Sequence, residues 1–426
     1  MSRNAGLFFA ALCAALLLVR APARSQEGNV TIEHADSLVG MEIDGEKARS
    51  LVGAVRFTQG KVIVTCDKAV QFLASRRLTM EGNVEVRDDS TRLVCDRGTY
   101  DPGKRLAEGF GRVMMEDPTT VLHADYGRYA TKEKVAFFSS HVIVQDTASV
   151  LTANELTYDR TTKHITADGN VILVNDRNGL TATGGHFEHF QASATSVMSV
   201  HPKVVTVDSS ADGTKDTLEI YGRVVEMVRD SLPRVTVTDS VRIFRGSMAA
   251  EAGSTVMFTE RDSIILRKSP VVWYRSDAGE ENQISGDSIL LGTRGHALDN
   301  IRILGRAVAV SQSDSLHPER LNQLTGQEIT MRFADKKLAR IDVERTATSL
   351  YFLFDGTTPN GLNRTTGDRV TMTFTDGQID EITFRTDVQG THIPERLVKG
   401  RLLDFTLDGV RWRPRVTRPG SIPSLK

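Results

Sequence analysis

The sequence predicts an all-β protein, an elongated stack of bent antiparallel strands arranged as two related modules. Three observations predict it: a repeat of fixed length, apolar residues two apart within each copy, and a glycine recurring inside the strands. Val55, Val84, Val113, Val142 and Val171 each stand 29 residues after the last. Five copies in unbroken register are the signature of a repeat architecture, in which each copy buries its apolar face against its neighbours.

The repeat columns define the elements. Two residues after each valine stand Phe57, Val86, Met115, Val144 and Leu173, and nine after it Val64, Leu93, Leu122, Leu151 and Leu180. Spacing of two places side chains on one face of a strand, whereas a helix would need three and four. Small residues fill the column eleven after (Cys66, Cys95, Ala124, Ala153, Ala182), and Gln71, Tyr100, Tyr129, Tyr158 and Phe187 the column sixteen after. Each copy is therefore two strands joined by a polar turn near Asp88, with Asp101-Pro102-Gly103 turning into the next. Gly53, Gly82, Gly111 and Gly169 precede their valines by two, and Ser140 takes that place in the fourth copy. Glycine is costly within a strand unless it permits a bulge or bend, so both strands of a copy are expected to bend there into a facing sheet.

Residues 1–25 read as a secretory signal: Arg3, an apolar run from Leu7 to Val19, and the small-residue site Ala21-Pro22-Ala23. The run is too short to span a bilayer, which needs about 20 residues. Cleavage there removes three arginines and no acid, leaving 50 basic against 54 acidic residues. That near balance argues against a general nucleic-acid binder. The expected organisation is a first module over 26–205, a second over 206–392, and a basic, proline-containing tail over 393–426. Ala35-Asp36-Ser37-Leu38 leads into Gly53-Ala54-Val55 as an incomplete opening copy, and Ser209 to Gly213 marks an inserted loop near the border.

In the second module a longer phrase recurs, Ser285-Gly286-Asp287, Thr325-Gly326-Gln327 and Thr366-Gly367-Asp368, at spacings of 40 and 41. Strand patterns at Val235–Val237, Val241–Ile243 and Val271–Trp273 precede it. From Arg396 the tail carries eight basic residues against Asp404 and Asp408. It reads either as a solvated tail or as a docking segment for an acidic or anionic partner.

No catalytic residues, metal ligands or cofactor site are predicted. His186 and His189, three apart on a strand, fall on opposite faces. Gly109-Phe110-Gly111 lacks the third glycine of a dinucleotide motif, and there is no phosphate-binding P-loop. The polar column Asp67, Asp96, Asp125, Asn154 and Thr183 reads as turn or edge hydrogen bonding rather than a carboxylate site. Cys66 and Cys95 occupy one column; with an intervening strand they would stand about twice ~4.8 Å apart, too far for a disulfide.

What remains is the apolar stripe. With only 6% aromatic residues, the inward columns are aliphatic with small partners, which suits a long trough for acyl chains. The predicted lining is Val55, Phe57, Val64, Val84, Val86, Leu93, Val113, Met115, Leu122, Val142, Val144, Leu151, Val171, Leu173 and Leu180. Five copies of two strands extend roughly 45–50 Å at ~4.8 Å per strand.

At these residues the sequence resembles the OstA/LptA family of periplasmic lipopolysaccharide-transport proteins. The likeness is carried by Ala35-Asp36-Ser37 with Gly53-Ala54-Val55, by Gly82-Asn83-Val84 with Cys95-Asp96, and by Thr152 to Asp159 with Ala167-Asp168-Gly169-Asn170-Val171. It covers roughly residues 30–190 well and the later part weakly, and the length and Trp412-Arg413-Pro414 ending are similar to the long OstA-like forms. The resemblance implies a bent β-jellyroll whose groove passes lipopolysaccharide between the inner and outer membranes. It also implies edge-strand pairing with Lpt-type components at each membrane and end-to-end association with like domains; the residues themselves lead to the expectation of no enzyme activity, cofactor or nucleic acid. The competing expectation is a secreted β-solenoid scaffold or adhesin with a closed core. A carbohydrate-active β-helix enzyme would need convergent carboxylates that the sequence does not place.

Overall fold

A computed structural model describes residues 30–420 apart from 60, 89–90, 177–178, 210–214, 262, 277–278, 295–296, 314–315, 335–336 and 376–377. The expected signal peptide, the inserted loop after Ser209 and the turns at 335–336 and 376–377 lie outside the described residues. The chain is antiparallel β almost throughout, and it divides into two compact units. Unit 1 comprises the chain to Pro202 together with Glu226–Asp230; unit 2 comprises Lys203–Val225 and everything from Ser231. The expected border at 205/206 falls inside the strand Lys203–Ser209.

Unit 1 is built from β1 (Thr31–His34), β2 (Ser37–Ile43), β3 (Glu46–Gln59), β4 (Val62–Phe72), β5 (Leu78–Asp88), β6 (Thr91–Asp101), β7 (Leu106–Glu116), β8 (Val121–Ala130), β9 (Val135–Gln145), β10 (Ser149–Asp159), β11 (His164–Asn175), β12 (Leu180–Phe190) and β13 (Thr195–Ser199). From β3 to β13 each strand pairs with the next, while β1 and β2 both pair with β3 as one interrupted opening strand. Each 29-residue copy is thus one hairpin, as its alternation requires.

The bend lies where the register skips. Between β5 and β6, Glu81 pairs with Arg97 and Val84 with Cys95, so Gly82 and Asn83 oppose Asp96 alone. Gly82 (φ 73°) and Asn83 (φ 47°) are both left-handed, and this double reversal turns the strand from one half-sheet into the other. The aspartate column latches these corners. Asn83 Nδ2 donates to Asp67 Oδ2 at 2.9 Å, Arg112 Nε to Asp96 Oδ1 at 2.8 Å, and His141 Nδ1 lies 2.7 Å from Asp125 Oδ2. A Cβ at Gly82 would stand 2.3 Å from Asp67 Oδ2, so the carboxylate and the bare glycine are one device.

On β12 His189 is buried, with its Nδ1 3.0 Å from Ser196 Oγ on β13. His186 projects from the opposite face, its Nδ1 2.6 Å from Asp168 Oδ1. Burial, with the Arg229 cation nearby, pushes the His189 imidazole down from 6.5 to about 4. Between those values the unfolded chain binds a proton that the folded chain refuses, so acidification through that window destabilises unit 1 by up to about 3 kcal/mol. His189→Gln should flatten this part of the pH profile in denaturant melts, and an unchanged profile would remove the assignment.

Unit 2 repeats the architecture with longer strands, among them Ala297–Gln312, Leu321–Ala334, Lys337–Asp355 and Thr358–Thr375. Gly305 and Arg306 form the same left-handed corner, with Arg306 Nε donating to Asp287 Oδ1 at 2.9 Å.

The basic C-terminal segment packs along unit 2. After a one-turn helix, Glu395–Val398, it runs back across unit 2 as a strap. Its path follows one row of cross-strand neighbours: Leu350, Gln323, Val310, Gln283, Trp273, Ala249, Phe244 and Glu219. Gln323 and Gln283 receive it as strand backbone would. Leu407 N donates to Gln323 Oε1 (2.8 Å) and Arg413 N to Gln283 Oε1 (2.7 Å), while Gln283 Nε2 donates to Arg411 O (2.6 Å). Trp273 Nε1 donates to Arg413 O at 3.0 Å. The arginines find acids within the unit: Arg413 with Glu251, Arg415 with Glu281, Arg418 with Glu219.

Candidate functional site

Between the two half-sheets of unit 1 lies a cavity of about 330 Å³ reaching from β3 to β9. One wall is the predicted one: Phe57, Val64, Val84, Val86, Leu93, Val113 and Met115 all line it. These residues follow the corner in their strands, or precede it in the partner strand, and alternation turns them inward. The other eight predicted residues, Val55, Leu122, Val142, Val144, Leu151, Val171, Leu173 and Leu180, do not line the cavity. They are packed to 4% exposure or less. The repeat columns are uniform along the sequence, but the space they bound is not.

The reason lies on the facing wall, which the sequence reading missed. One row of direct cross-strand neighbours runs Leu51, Ala69, Met80, Gly98, Gly109, Gly127, Phe138, Leu156, Ala167, Phe187. Three consecutive glycines sit in its middle. Side chains are absent there on three adjacent strands, and all three glycines line the cavity. Past Phe138 the row is filled, and Leu156, Ala167 and Phe187 are buried. The signal was present in two columns not used, four before and fourteen after each valine, where copies two and three supply Gly98, Gly109 and Gly127.

A second row completes this wall, Leu78, Tyr100, Ala107, Tyr129 and Ala136, with tyrosine and alanine alternating after Leu78. Tyr129 is held at the edge of the cavity by Arg160, whose Nη1 donates to its hydroxyl at 2.7 Å. Cys95 also lines the cavity. Cys66 and Cys95 are both free and buried, and burial pushes the Cys66 thiol up to about 11. Among the described residues, no group of three or more His, Cys, Asp or Glu side chains is placed to hold a metal ion. What the lining can do chemically is accept hydrocarbon.

Residues 75–213 match the family described as OstA-like protein. Among solved structures the chain is similar to LptH from Pseudomonas aeruginosa, described as the LptA homologous periplasmic component of the lipopolysaccharide transport device. Identity is 16%, over 35% of this chain and 82% of that one, with a TM-score of 0.18. No curated protein matches.

Proposed function

We propose that this OstA-like chain is an exported, non-catalytic carrier of lipopolysaccharide that holds acyl chains in the cavity of unit 1. The observation that carries the reading is the cavity itself: an aliphatic wall facing one of glycine, alanine, methionine and aromatic residues, largely within the stretch that matches the OstA-like family. Each buried CH₂ of a ligand would contribute about 0.8 kcal/mol. No cofactor enters the reading.

The proposed compartment is the periplasm, reached by cleavage of residues 1–25, and the proposed role is a bridge between inner and outer membranes. The opening strand supports this. β2 leaves Leu38, Val39 and Met41 exposed at 53%, 54% and 41%. An apolar edge of this kind invites pairing. Strand addition to Lpt-type membrane partners, or to another copy, would use it.

A photocrosslinking residue at Met115 should capture lipopolysaccharide in cells, while one at the exposed Leu403 of unit 2 should not. Equal capture at both would refute a cavity-bound lipid. The closed-scaffold reading draws support from the eight packed residues. It predicts that protein purified from the periplasm yields no acylated lipid on extraction.

A further inference from the structure

We infer that one edge of the unit 1 cavity is an anion-binding lip, which holds the phosphate or carboxylate groups of an acylated lipid whose chains lie in the cavity. The inference rests on the lipid reading above and adds to it the charge of the headgroup and the direction in which the amphiphile sits.

The lip is formed by the turns 73–77, 102–105, 131–134 and 160–163, which join β4 to β5, β6 to β7, β8 to β9 and β10 to β11. These four turns contain eight basic residues and one acid, Glu133. The described turn residues at the opposite strand ends differ in sign: Asp117, Asp146 and Asp176 against Lys61. A repeat protein need not segregate charge this way, because both sets of turns are equally wet.

Six of the eight cations of the lip are not spent on structure. Arg76, Lys104, Arg105, Lys132, Lys134 and Lys163 are exposed, and none forms an ion pair with another described residue. The nearby carboxylates face backbone amides instead. Asp101 Oδ1 accepts from Lys104 N at 3.0 Å, Asp159 Oδ1 from Thr161 N at 2.7 Å, and Glu46 Oε1 from Ser75 N at 2.6 Å. Glu46 also lies 3.7 Å from Arg77, so that arginine is partly neutralised.

The cavity comes up to this edge. Its lining residues Leu78, Tyr100, Ala107, Tyr129 and Ala136 stand one or two positions from the first three of these turns, and Arg160 of the fourth bonds the Tyr129 hydroxyl. Successive turns are two strands apart, about 9–10 Å, so the cations form a rail beside the apolar space. Apolar volume bordered by unpaired cations fits an anionic amphiphile better than a neutral one. Exposed cations act collectively and are screened by salt.

The test compares two lipids with the same chains, dimyristoyl phosphatidate and dimyristoyl phosphatidylcholine, binding to the full chain at low salt. The variant carries Lys104→Glu, Arg105→Glu, Lys132→Glu and Lys134→Glu; a companion carries Lys104→Arg, Lys132→Arg and Lys134→Arg. The glutamate variant should bind phosphatidate about tenfold or more weakly, through the loss and reversal of several exposed pairs. Its phosphatidylcholine binding should hold within about twofold, and the arginine variant should match the parent. High salt should erase the difference. Equal effects on both lipids, or none, would overturn the lip and leave the cavity reading intact. Displacement of phosphatidate by millimolar inorganic phosphate would overturn it in favour of a free-anion site. Failure of the parent to bind either lipid defeats the cavity reading, and the lip with it.

Discussion

Cutting the chain after Pro394 should unfold unit 2 at temperatures where the full chain holds it folded. The cut removes Val398 and Leu407, which pack with Leu350, Phe352 and Leu362, and Val416, which packs with Phe244, Ala249, Val271 and Trp273. It bares two apolar clusters on unit 2, one around Leu350, Phe352 and Leu362 and one around Phe244, Val271 and Trp273, and exposed apolar patches drive association. Gln283 and Gln323, now buried, lose partners chosen to satisfy them. The effect can be graded: Leu407→Ala alone should cost about 2–4 kcal/mol. For a unit of this size that is a fall of roughly 5–15 °C in melting temperature. The chain offers its own reporter. Its two tryptophans, Trp273 and Trp412, both belong to unit 2, and truncation leaves only Trp273, fully buried beneath the strap. Its emission should move to the red when the strap is removed. An unshifted spectrum and an unchanged transition would show that the strap is ornamental.

The strap shows where sequence reading stops. Its arginines were legible as a basic run, but Arg418 meets Glu219 across 199 residues and Arg415 meets Glu281 across 134. Nothing local in the chain announces such pairs. The repeat is the opposite case. Val84, Val86, Leu93 and Cys95 declare their strands by spacing alone, and the hairpins follow, because alternation and turn chemistry are local. The aspartate column lies between these extremes. Asp67 and Asn83 are sixteen apart, visible as a repeating pair, yet their bond depends on a corner where two residues oppose one. The cavity depended on register across several strands. Gly98, Gly109 and Gly127 are separated by 11 and 18 residues in sequence but are direct neighbours in the sheet. Reading columns one at a time could find the aliphatic wall; finding the gap required asking what faced it.

Filling that gap should abolish loading of the cavity without unfolding its walls. Gly109 is the place to do it. It is the middle glycine of the three, and its φ is not positive, so a side chain meets no backbone penalty there. An added Cβ would stand 3.4 Å from Cys95 Sγ and 3.6 Å from Val113 Cγ2, ordinary contacts. Gly127 is tighter, at 3.1 Å from the Phe138 ring, and Gly98 stands 3.0 Å from Met80 Cε. Gly109→Leu therefore places an aliphatic side chain in the space proposed for acyl chains. If it displaces three or four methylenes, the loss is about 2.5–3 kcal/mol, near a hundredfold in affinity. Gly109→Ala, whose methyl reaches only those ordinary contacts, should keep the melting temperature of unit 1 and bind nearly as the parent does. Loss of binding with a retained melting transition places the lipid at the glycine row. Undiminished binding by Gly109→Leu would place it elsewhere, since a ligand in the cavity cannot share this volume with leucine.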